Sequence, residues 1–257
     1  MLPFLAGLPL ALTLPLLGNV LRLRDEWLAV LGLSHLAAAA ALVGLGLGLA
    51  AAWGSLAGAL LGAAGKALAR GRSNSVYAVM ILGGWALMLL IAANSPLGHA
   101  MAQAIGDGQI YFAGGGEALL SVAAALFSLA LLPWLTPRLI RARLLPTHER
   151  ANHLPAWRWH LGFDLIVALT VAVATATLGI MATFALVFAP AWLAFRHATS
   201  WRRAGQIAAG IGIAAYTIAF ALALVLDQPF GPVLVLLLVS GLLVGGLMRT
   251  RLRGVAV

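Results

Sequence analysis

The chain has 257 residues, of which 63% are hydrophobic and only 9% charged, and it carries a net charge of +9. A soluble domain of this length has roughly a quarter of its residues charged, so a water-exposed globule is excluded. Cysteine is absent, which removes disulfides and thiolate metal sites.

Apolar runs fall at about 2–21, 27–48, 50–68, 76–94, 117–137, 161–178, 180–195, 204–226 and 231–248. Runs of about 18 apolar residues are long enough to cross a bilayer, and unbroken runs are unlike the alternating strands of an outer-membrane barrel. The fold class is therefore all-α, a polytopic bundle of transmembrane helices. The first run, "MLPFLAGLPLALTLPLLGNVLRLR", lacks the basic start and small-residue cleavage site of a signal peptide and reads as a retained span. The second and third runs abut at "AAWGSLAG", and only Gly179 and Pro190 punctuate 161–195, so eight or nine crossings are expected. Small-xxx-small spacings at Gly44/Gly48 and Gly58/Gly62 predict close helix packing in this part of the chain.

The basic residues sort by loop. Arg22 and Arg24 share one; Lys66, Arg70 and Arg72 the next; Arg138, Arg141, Arg143, Arg150 and Arg158 the longest polar segment. Arg196, Arg202 and Arg203 follow, and Arg249, Arg251 and Arg253 come last. The positive-inside rule makes these loops cytoplasmic. Segments 95–116 and 227–230 hold no Lys or Arg, only Asp107 and Asp227, and are expected outside. With nine crossings the N-terminus is external. The net positive charge belongs to these loops and needs no nucleic acid.

Few residues carry chemistry. Ser34 and His35 stand inside an apolar run, where an ionisable side chain usually faces the bundle interior or a pathway. "PTHERANH" reads as a short helix, with Thr147 as N-cap and Pro155 as stop. His148, His153 and His160 have poor spacing for a zinc site, and a helix docking a cytoplasmic partner fits the segment better. "GAAGKALARG" fails as a phosphate loop, because Leu60 stands where its first glycine belongs and Ala67 where its hydroxyl belongs. Lys66 reads as a juxtamembrane charge and Asp164 as a helix-start charge. No Ser-His-Asp or paired-carboxylate spacing points to an enzyme.

Three segments resemble the zinc/manganese family of ABC-transporter permeases: "LGLSHLAAAAALVG", the stretch from "THERANHLPAW" to "APAWLAFR", and "GIAAYTIAFALALVLDQPFGPVLVLLL". The resemblance covers nearly the whole chain. It implies one permease domain over 1–257, like a type II importer, with a cytoplasmic coupling segment near 138–160. It implies a homodimer in a bacterial inner membrane, separate ATPase subunits that hold the ATP and magnesium, and an external metal-binding protein. The expected cargo is zinc ahead of manganese, with no cofactor expected on this chain. By match, His35 with Ser34 falls in the metal-handling segment. Thr147, His148, Glu149, Arg150 and Ala151 fall in the coupling helix, and Asp227, Pro229 and Gly231 in an external turn. One departure stands out: the family has an acid four residues before the histidine, where this chain has Leu31. Alternatives are a permease of the same family for manganese, iron or a chelate, and a non-transporting docking or assembly protein.

Overall fold

A computed structural model of the chain describes residues 1–68, 74–95, 98–108, 110–145, 147, 151–152 and 156–254, with side chains up to Val244 except Ala156. Among these residues the structure is a bundle of ten α-helices. They are α1 Leu2–Arg24, α2 Leu28–Gly46, α3 Ala51–Leu68, α4 Asn74–Ala93, α5 Gly98–Asp107, α6 Gly115–Leu144, α7 Ala156–Leu178, α8 Ile180–His197, α9 Trp201–Leu226 and α10 Phe230–Gly254. Each of the nine apolar runs becomes one helix, and α5 is an added short helix in the polar stretch after α4.

Seven of the described helices are long and apolar enough to cross a membrane. The chain is a multi-pass membrane protein. The two runs that fall outside the seven have plain reasons. Four glycines and Lys66 dilute the hydropathy of α3, and the described apolar part of α10 is Phe230–Val244, shorter than a span. Burial is inverted relative to a soluble protein. Leu61, Leu82, Leu119 and Val225 are each at least 70% exposed on the outside of the bundle, which suits contact with lipid tails.

Helix α1 is the centre post, packed against α6, α8 and α9. It contains Pro9 and Pro15, each of which removes a backbone donor and leaves a carbonyl one turn earlier without its partner. Spanning helices tolerate this where neighbours compensate. Pro15 frees the Ala11 carbonyl, and α9 lays Gly212 against that carbonyl and the Pro15 ring; separately, the Thr13 hydroxyl donates back to the Pro9 carbonyl at 2.8 Å. One turn from the start of α1, Gly7 leaves room for the Tyr216 ring, whose hydroxyl donates to the Phe4 carbonyl at 2.9 Å.

Helices α2 and α3 cross closely because their facing positions are small. Gly54 lies against Ala40 and Ala41, Gly58 against the Leu36 carbonyl, and Gly44 against Gly54. Three of the four glycines singled out from spacing, Gly44, Gly58 and Gly62, pack at this crossing. Gly48 instead falls in the turn between the two helices.

The bundle has two chemically distinct ends. At the basic end the last residues of α1 meet α8, with the Arg22 guanidinium 5.0 Å from the Phe195 ring. There α6 meets α7, with Arg138 lying 4.1 Å from Trp134 and 4.6 Å from Trp159. At the acidic end the end of α5, the α7–α8 junction and the start of α10 converge. The grouping of loops agrees with the sorting of charges along the sequence.

Candidate functional site

His35 sits in the middle of α2 and is 3% exposed. Its Nδ1 lies 2.8 Å from the Leu31 carbonyl one turn back. A carbonyl only accepts, so Nδ1 is the donor and the neutral ring carries its lone pair on Nε2. Nε2 has no protein partner among the described residues. The ring stacks on Trp85 of α4, with centroids 5.7 Å apart and planes at 14°. Gly84 permits this approach, because a Cβ there would strike His35. The carbonyl of Leu31 thus fixes the ring, although the side chain at that position is apolar.

Ser34 is fully buried, and its hydroxyl has no hydrogen-bond partner among the described residues. Adjacent helical residues point about 100° apart, so Ser34 and His35 do not converge on one point. Among the described residues no three His, Cys, Asp or Glu side chains come together in a way that could hold a metal ion. His35 thus belongs to no three-ligand group of such side chains among the described residues.

The coupling-helix residues fare differently. Thr147 and Ala151 are helical and exposed; His148, Glu149 and Arg150 lie outside the described residues, as does His153.

The predicted Asp-x-Pro-x-Gly-Pro turn joins α9 to α10. Asp227 ends α9 in a left-handed conformation, φ 50° and ψ 48°, and the Gln228 amide donates back to the Ala223 carbonyl at 3.0 Å. Pro229 precedes the first residue of α10, where its missing donor costs nothing. Gly231 lies against the backbone carbonyl of Asp107 at the end of α5. Nearby, burial and then the negative charge of Asp227 hold the Tyr111 phenol above its ordinary pKa range.

The largest feature that sequence reading missed is a buried square of charges at the basic end. Arg24 Nη2 lies 2.8 Å from Glu26 Oε2 and 3.0 Å from Asp164 Oδ1. Lys66 Nζ lies 2.9 Å from each of the same two oxygens. The side chains of Arg24 and Glu26 are 3% and 1% exposed, those of Lys66 and Asp164 7% and 13%. Two cations and two anions cancel, which burial demands. Phe163 lies 5.0 Å from the Arg24 guanidinium, and Tyr77 lies 5.7 Å from the Lys66 ammonium. The sequence showed Arg24, Lys66 and Asp164 only as loop or helix-end charges, and Glu26 was not singled out. The available signal was that Lys66 and Asp164 each lie within an apolar run, near its end, in a chain with only seven acids.

The model of the ABC 3 transport family matches residues 2–249. The chain belongs to the ABC 3 transport family. This is the permease family that its three motifs resemble, and the membership accounts for a bundle of membrane helices without a nucleotide motif. Among solved structures the chain is similar to "PsaBC from Streptococcus pneumoniae in complex with Fab", with a TM-score of 0.82 at 17% identity, over 95% of this chain and 89% of that one. At that identity the likeness is one of fold: an ABC 3 permease fold over nearly the full length of both chains. No curated protein matches the chain.

Proposed function

We propose that the chain is the permease subunit of an ABC importer that carries a divalent metal ion, zinc ahead of manganese, across a bacterial inner membrane. Residues 1–257 form one permease domain. Two copies pair, separate ATPase subunits bind the basic end and hydrolyse ATP with magnesium, and an external metal-binding protein delivers the ion to the acidic end. The basic end is cytoplasmic by the positive-inside rule.

The observation that carries the metal reading is His35. A buried imidazole whose Nδ1–H is committed to a backbone carbonyl presents Nε2 as a ready ligand, the usual way in which a metal-binding histidine is oriented. A borderline nitrogen without a nearby carboxylate favours zinc over manganese. A site short of three such ligands among the described residues suits a passage that must release its ion, since conduction needs binding weak enough to leave.

The replacement of the family's acid by Leu31, together with the absence of a three-ligand group among the described residues, favours as second reading a permease for a metal chelate. Uptake of zinc, manganese and a chelated metal into proteoliposomes holding the permease with its ATPase separates the two. His35→Ala and His35→Gln should abolish free-ion uptake while assembly with the ATPase persists. Equal uptake by wild type and both variants would reduce His35 to a packing residue. A protein that binds no ATPase at all would be a docking factor.

A further inference from the structure

The buried square is built where an apolar cluster would hold helices together at less cost. Burying paired charges loses hydration that their mutual attraction only partly returns, and apolar replacements of such pairs are often at least as stable. Its geometry has a second peculiarity. Each cation touches both acids, and all four distances lie between 2.8 and 3.0 Å. Neither cation has a preferred partner, so either acid can slide away from one cation while keeping the other.

The members come from unequal sources. Arg24 ends α1, Glu26 lies between α1 and α2, and Lys66 is near the end of α3. Asp164 alone belongs to the second half of the chain. It stands on α7, eight residues after Ala156, about 12 Å along the helix, and α7 begins within the segment, near 138–160, read as the ATPase-facing one. At its far end α7 stops at Gly179, whose φ of 89° turns the chain into α8. Gly179 there rests on the backbone of Gly106 to Gly108. Helix α7 is thus a rod of 23 residues, about 35 Å long, with a glycine joint at one end and an exchangeable ionic contact near the other.

We infer that Asp164 is a positioning residue for transport, and that its paired contacts with Arg24 and Lys66 form the joint through which motion of α7 is passed to α1 and α3. This rests on the reading of the chain as an ATPase-driven permease. An electrostatic contact with interchangeable partners serves such a joint better than apolar packing, because interdigitated side chains must separate before they slide.

The test uses the assembled transporter with its ATPase in lipid nanodiscs. Spin labels go on Leu68→Cys and Trp157→Cys, exposed positions at the ends of α3 and α7 in a chain without cysteine. The distance between them should change by about 2–5 Å between nucleotide-free and ATP-trapped states. In Lys66→Met/Asp164→Leu the remaining Arg24 and Glu26 stay balanced. That variant should melt no lower than wild type and still bind its ATPase. It should lose the nucleotide-dependent change in distance, and transport should fall roughly tenfold. Asp164→Asn, which keeps the shape and removes the charge, should show the ATP-trapped distance without nucleotide. An unchanged distance in wild type would overturn the proposal, as would transport within twofold of wild type in the apolar pair. If the apolar pair does not fold, the Asn variant decides alone: a wild-type distance and wild-type transport would overturn it. If wild type moves neither zinc nor manganese yet the distances behave as stated, the cargo assignment fails and the joint stands.

Discussion

The imidazole of His35 and the indole of Trp85 lie nearly parallel, at 14°, across the α2–α4 contact. Trp85 is 47% exposed, so it covers a buried ring from the outer side of α4. Trp85→Ala should therefore uncover His35 without removing its hydrogen bond to Leu31. Free-ion uptake is expected to fall less in Trp85→Ala than in His35→Ala. A Trp85→Ala protein as inactive as His35→Ala would show that the stack, not the nitrogen, matters.

Leu31→Asp restores a carboxylate one helical turn before His35. Leu31 is partly buried, so the new acid needs a cation or a proton beside it. Zinc should raise the melting temperature of Leu31→Asp more than that of wild type, and His35→Ala added to it should cancel the gain. No zinc-dependent shift in the single variant would mean that the two positions do not share an ion.

Removing one charge from the square should be far more disruptive than removing a pair. Lys66→Met takes from Glu26 and Asp164 one of the two cations they share in the square, and loss of one partner of a buried ion pair costs about 3–5 kcal/mol. Lys66→Met/Asp164→Leu keeps the balance and should recover the whole of that loss. Thermal melting of the four combinations in one detergent gives the coupling directly.

At the α1–α9 contact, Tyr216→Phe removes one hydroxyl donating to Phe4, worth about 0.5–1.5 kcal/mol. Gly7→Ala places a methyl group inside the space of the Tyr216 ring, an overpacking that costs about 1–3 kcal/mol. The order of the two losses, larger for Gly7→Ala, is the checkable outcome in chemical denaturation.

Sidedness is tested by single cysteines. Asp107→Cys should react with an impermeant reagent in intact cells, and Leu68→Cys only after permeabilisation. The reverse order would invert the bundle.

The helices were readable because lipid imposes its rule locally. Every span must be apolar along its own length, so nine runs sufficed to place α1–α4 and α6–α10, and the charges between them grouped the loops by end. Crossing points were legible where one residue type decides them, as at Gly58. The square was not. Lys66 and Asp164 are 98 residues apart, and nothing near either residue records the other. The role of Leu31 was hidden for a different reason: its side chain is what a sequence displays, whereas its carbonyl is what His35 uses. Short α5 escaped because no apolar run marks it.

The meeting of Gly179 and Gly231 with the backbone of residues 106 to 108, and of Gly108 with that of Leu178, has a consequence for how this molecule is probed. Alanine scanning measures what is lost when a side chain is cut away, and here backbone touches backbone. A survey by truncation would report silence at the contact that ties three helices together. Only the opposite procedure, adding one methyl group at a time, would register it, and the bulkier addition should always be the worse one.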